Sequence, residues 1–263
     1  MKRSAHTKIL KQIMAGSLVT LIMSVSASAE ITSMSDAVNK AGKQRMLTQR
    51  MLKDYALIGM NNTYGNPKED LSKMITIFDT NLVDLQGYIK DKPSVESLSV
   101  LASLWAPIKV SLQKAPAKDK VAALQRALEV LLKAAHESTN LITKSSGNSA
   151  GKIVNIAGRQ RMLSQRMASL YMLKVWQIDD PEFTSKLNTA MEEFSAAQKT
   201  LLASSLNTDE INAHLAKSGK AFKFFEIMNN SSNKFIPTLI YKKSNEMLRD
   251  MNTATGLYAA QEK

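Results

Sequence analysis

The chain has 263 residues, 44% hydrophobic and 22% charged, with no cysteine and a formal charge of +12. The lack of cysteine excludes disulfides, thiol catalysis and thiolate metal sites, and leaves stability to packing. The basic excess comes without a basic run interleaved with aromatics, so nucleic acid is excluded as the natural partner in favour of an anionic ligand or membrane face.

In chain order, the first element is a secretory signal peptide over 1–29. Lys2, Arg3, Lys8 and Lys11 precede an apolar run over 13–25, and Ala27-Ser28-Ala29 places cleavage before Glu30. Because the run is well short of the roughly 20 residues of a membrane helix, cleavage is preferred over a retained anchor. No later stretch reads as a membrane span, and the expected location is the periplasm. Without the signal peptide, which carries four bases and no acid, the formal charge is +8.

The rest reads as eight helices. The first four span 35–60, 68–89, 95–112 and 118–144, broken at Tyr64-Gly65-Asn66-Pro67, Asp91-Lys92-Pro93 and Ala115-Pro116. The next four span 149–177, 182–204, 208–228 and 237–260, broken at Asp179-Asp180-Pro181, Asn207 and a polar cluster over 229–233. Sustained two-residue alternation is missing, so no strands are expected. The predicted fold is all-α, two tandem antiparallel four-helix bundles over 30–146 and 147–263, joined at Ser145-Ser146-Gly147-Asn148.

A duplication underlies this division. NKAGKQRMLTQRM from Asn39 and NIAGRQRMLSQRM from Asn155 are identical at ten positions. At the same offset Tyr55 meets Tyr171, Phe78 meets Phe194 and Leu85 meets Leu201; a slip of one residue then pairs Glu129 with Glu246 and Leu131 with Leu248. Packing alone rarely forces a polar order to recur, so the motif implies a shared site or interface.

On a helix, Leu47, Met51, Tyr55 and Ile58 form an apolar stripe. Beside it Val38, Ala41, Arg45, Thr48, Leu52 and Tyr55 form a second seam; the other copy gives Val154, Ala157, Arg161, Ser164, Ala168 and Tyr171. Arg45 and Arg161 therefore fall on apolar seams, where an unpaired charge costs several kcal/mol. No acid lies one turn away on the same face, so each needs carbonyls, a distant acid or a bound anion. Small neighbours leave room for a facing helix or a ligand. Planar forked donors suit a planar oxyanion, with Gln44, Gln160, Asn39 and Asn155 as further donors. Arg50 and Arg166, rotated toward the polar side, read as salt-bridging or secondary, beside Thr48 and Ser164.

Other chemistry is thin. The methionines follow helical spacing with no cysteine or histidine beside them, so core filling is preferred over copper. His136 and His214 cannot build a zinc site, and no nucleophile elbow or phosphate loop occurs. No catalytic residue, metal or cofactor is expected. Trp105, Trp176, Phe222, Phe224 and Phe225 read as packing within the bundles or as cover for an exposed seam.

The AGxxRMxxxR pattern preceded by Asn resembles the P-box of nitrate- and nitrite-sensing histidine kinases. AGRQRMLSQRM, from Ala157 to Met167, is still more similar to the PilJ sensor domain of type IV pili methyl-accepting chemotaxis transducers. In the nitrate sensors the arginine before Met, with its mate from a second subunit, holds the anion. The resemblance thus implies Arg45 and Arg161 as ligands of a small anion and admits a homodimer. Duplication offers another arrangement, the two arginines facing each other within one chain. Those sensors continue into a signalling region, whereas this chain ends at Lys263, so a membrane-bound chemoreceptor or sensor kinase is the expected partner. The leading expectation is a non-enzymatic sensor-type binding protein that relays or buffers the anion. The alternative is an envelope interaction module linked to pili or chemoreceptors, its arginines paired with acids such as Glu129 and Glu246.

Overall fold

The computed structural model describes residues 30–147, 149–229 and 236–261; the signal peptide read from the sequence lies outside them. Eight helices, and no strand, occupy the described residues. They are α1 (Met34–Gly59), α2 (Pro67–Tyr88), α3 (Lys92–Leu112), α4 (Lys118–Ser146), α5 (Ser149–Val175), α6 (Phe183–Leu202), α7 (Asp209–Asn229) and α8 (Pro237–Ala260).

Local chemistry sets their ends. The Ser33 hydroxyl accepts from the Asp36 amide at 3.1 Å, capping α1. Asp91 caps α3 through the Ser94 amide at 3.1 Å, so this helix begins at Lys92, three residues before its expected start, with Pro93 in the first turn. Gly147, at φ 69°, closes α4 in the left-handed conformation.

Polar contacts fix how the helices run. Lys40 pairs with Asp84, Gln44 with the Phe78 carbonyl and Arg50 with Asp70, so α2 returns antiparallel along α1. Arg45 meets His136 and Tyr55 meets Ala117, making α4 antiparallel to α1. Arg161 meets Asn252 and Tyr171 meets Ile236, giving α8 the same relation to α5. The most extensive contact of all is α1 against α5. There Arg45 bonds Asn155 while Arg161 bonds Asn39, and Gln49 bonds Ser169 while Lys53 bonds Gln165. Partners on both sides of the repeat offset occur only if the two helices run parallel with equivalent motif positions opposed. The halves therefore lie side by side about a pseudo-twofold axis and share one apolar core.

Being central changes the character of α1. Nineteen of its 26 residues are buried, including Gln44, Gln49, Lys53 and Asp54, which in an outer helix would form the solvated face. The expected slip in the repeat is also corrected. Arg45 to His136 and Arg161 to Asn252 span the same sequence separation, so His136 matches Asn252 and Leu132 matches Leu248 with no slip. Expecting no later membrane-length helix needs correction too: among the described residues α3 is long and apolar enough to cross a bilayer. Here it packs Leu98, Leu101, Trp105, Ile108 and Leu112 inward and leaves an uncharged outer face between Glu96 and Lys109.

Candidate functional site

The α1–α5 contact brings Arg45 and Arg161 together, each wholly removed from solvent. Each side chain crosses to the other half. Arg161 donates from Nη1 to Asn39 Oδ1 at 2.8 Å and from Nη2 to the Asn39 carbonyl at 3.1 Å. Arg45 donates from Nη2 to the Asn155 carbonyl at 3.1 Å. Asn155 Nδ2 in turn donates to Asn140 Oδ1 at 3.2 Å. On the flanks, Arg45 Nη1 lies 3.2 Å from His136 Nδ1, and Arg161 Nη1 donates to Asn252 Oδ1 at 3.1 Å.

The motif glycines permit this convergence. A β-carbon on Gly42 would stand 3.1 Å from Arg161 Nη2 and 3.2 Å from Arg45 Nη2; one on Gly158 would stand 3.0 Å and 3.3 Å from the same atoms. Both guanidinium tips therefore lie over the bare backbone where the helices cross, and any side chain there would crowd them.

Among the described residues no carboxylate partners either arginine, and the Nε–H of each is buried without an acceptor. Burial, reinforced by Arg161, lowers the Arg45 pKa to about 9, and burial alone lowers that of Arg161 to about 9. Both stay charged at neutral pH. Two cations thus share a dry site with only neutral acceptors, a state that favours an incoming anion. The field reaches its neighbours. Lys43 is lowered to about 8 by burial, then by Arg161 and Lys40. His136 falls to about 4 through burial, then Arg45 and Arg159; with Arg45 donating to Nδ1, its ring is neutral.

The other motif residues serve different contacts. Gln44 and Gln160 donate to the carbonyls of Phe78 and Phe194 at 3.0 and 2.9 Å, so they brace α2 and α6. Thr48 and Ser164 bond the carbonyls of Arg45 and Arg161 at 2.8 Å. Arg50 pairs with Asp70 and Arg166 with Glu129, both at 2.7 Å. Glu246 is held by Lys243, so neither acid proposed for the seam arginines reaches them. His136, Asn252 and Asn140 escaped the sequence reading. Carrying the repeat offset without a slip would have paired His136 with Asn252.

Further along α1, Lys53 is wholly buried and donates to Gln165 Oε1 at 2.8 Å and Asn245 Oδ1 at 2.9 Å, with Tyr241 beneath it. Burial lowers its pKa to about 8, and burial raises that of the adjacent Asp54 well above the carboxylate range. The second half carries Ser169 and Leu170 at these positions, so this cluster breaks the pseudo-symmetry.

Among the described residues, no group of three or more potential metal ligands occurs. Comparison with curated proteins and with solved structures returns no match. A family profile, PilJ, type IV pili methyl-accepting chemotaxis transducer N-terminal, matches residues 27–140 and again 141–217. The duplicated arginine helix and the helical bundle built around it are those of a PilJ domain repeated in tandem, and the chain belongs to that family.

Proposed function

We propose that this chain is an exported, non-enzymatic receptor that binds one small anion of the nitrate or nitrite kind between Arg45 and Arg161, and presents its bound state to a membrane signalling partner. Family membership supports the sensor role, since PilJ names the N-terminal domain of chemotaxis transducers and not a catalytic family. The observation that carries the ligand is the pair of buried guanidiniums with no carboxylate among their partners. Asn39 and Asn155 hold them from the opposite half, so the binding centre belongs to both repeats. The repeats, over 30–146 and 147–263, take the place of two subunits.

Thermal unfolding against nitrate, nitrite, sulfate, phosphate and chloride at fixed ionic strength tests this. A ligand that binds only the native state raises stability by about 2.7 kcal/mol at a hundred times its Kd. One saturable, anion-specific rise is expected, abolished by either Arg45→Ala or Arg161→Ala alone. Two independent binding events would contradict a shared centre. A second reading, a docking module for pilus or receptor proteins, draws on the uncharged outer face of α3. It gains if no anion acts and the variants are merely less stable.

A further inference from the structure

A pocket of about 270 Å³ opens between α4, α5 and α6, and its lining includes Arg45, which reaches it from the first repeat. At this floor Arg45 Nη1 meets His136, while Arg45 Nε has no acceptor. Arg159, also in the lining, likewise has a buried Nε–H without an acceptor. Around the rim Arg166 pairs with Glu129 at 2.7 Å, Arg159 with Glu193 at 2.9 Å and Lys186 with Asp180 at 3.2 Å, while the exposed Lys133 has no ion-pair partner among the described residues. The buried charge without a carboxylate partner is Arg45, at the bottom. Leu132, Met162 and Ala190, all buried, supply apolar wall.

A bare oxyanion would fill only part of this space. The rest would be water against apolar wall, which a hydrocarbon displaces favourably. The matching pocket in the other half differs. Met74 stands where Ala190 does and Asn252 where His136 does, and Arg161 is not part of its lining. The opening onto a seam arginine is thus one-sided.

We infer that this pocket selects a small monocarboxylate with a short apolar tail, its carboxylate on Arg45 beside His136 and Arg159 and its tail against Leu132, Met162 and Ala190. This rests on the reading of Arg45 as an anion ligand and adds the chemical class of that anion.

The test is titration of the full chain with acetate, propionate, butyrate and nitrate by calorimetry, beside Ala190→Met. That variant places in the second repeat the residue the first already carries at the matching position, so the bundle should accommodate it. Expected on the parent protein is roughly a fourfold gain in affinity for each added methylene, the equivalent of about 0.8 kcal/mol. In Ala190→Met the chain-length gain should vanish. Nitrate binding without any carboxylate binding overturns this inference and leaves the anion site standing. Equal affinity for all three acids, or a chain-length gain that survives Ala190→Met, also overturns it. Binding of neither nitrate nor carboxylates removes both.

Discussion

A guanidinium stripped of water and given only neutral acceptors leaves its charge unbalanced, and Arg45 and Arg161 do this side by side. His136 registers that imbalance. It is the one ring at the site, and burial with Arg45 and Arg159 holds its pKa at about 4, where an unfolded histidine titrates near 6.5. Between these values the unfolded chain takes up a proton that the folded protein refuses. Its contribution to stability is therefore constant above about pH 6.5, falls as the pH is lowered toward 4, and levels off below it. His136→Asn, which installs the residue of the matching Asn252 position, should flatten this part of the profile. Denaturant midpoints for parent and variant between pH 4 and 7 measure it. Parallel profiles would mean that His136 titrates in the folded protein as it does in the unfolded chain, so that burial and the arginines do not lower it.

At the scale of helices, most of the architecture was legible because each break carried its own chemistry: Asn66-Pro67, the Asp91 cap with Pro93, and Gly147. What was hidden was which helices lie inside. Gln49, Lys53 and Asp54 are polar or charged, and their burial follows from the helices packed around α1. Seating of α1 on α5 extends to their ends. A β-carbon on Gly59, the last residue of α1, would stand 2.2 Å from the Trp176 ring just after α5, where no side chain fits without movement. Gly59→Ala should therefore destabilise by about 1–3 kcal/mol, the usual cost of overpacking. Gly256 in α8 has no atom within 4 Å of its virtual β-carbon. Gly256→Ala should instead gain up to about 1 kcal/mol from helix propensity. Urea unfolding of the pair separates contact from propensity; equal effects would mean that Trp176 does not seal the end of α1.

For the molecule as a whole, the repeat showed that two equivalent surfaces exist but not that they meet. Nothing in a helix's own periodicity says whether its seam faces a neighbour in the same chain or in another. The structure resolves this with α1 and α5 parallel and in register, an arrangement that sequence neighbours joined by short turns cannot adopt. Four helices and their connections separate the starts of the two motif helices, and that spacing permits the parallel pairing. Each repeat alone would expose the seam that its twin now covers, with Val38, Ala41 and Leu52 on one side and Val154, Ala157 and Ala168 on the other, all buried in the whole chain. Because the seams carry the same motif, a second copy of one repeat can replace the missing twin. Residues 30–147 expressed alone should therefore associate as a parallel homodimer with two Arg45 side chains facing across a true twofold axis. Sedimentation equilibrium gives the mass, and a spin label on the exposed end of α1 distinguishes parallel from antiparallel pairing by a short label-to-label distance. A folded monomer would show that the seam is stable in water and that the α1–α5 contact is not what holds the repeats together.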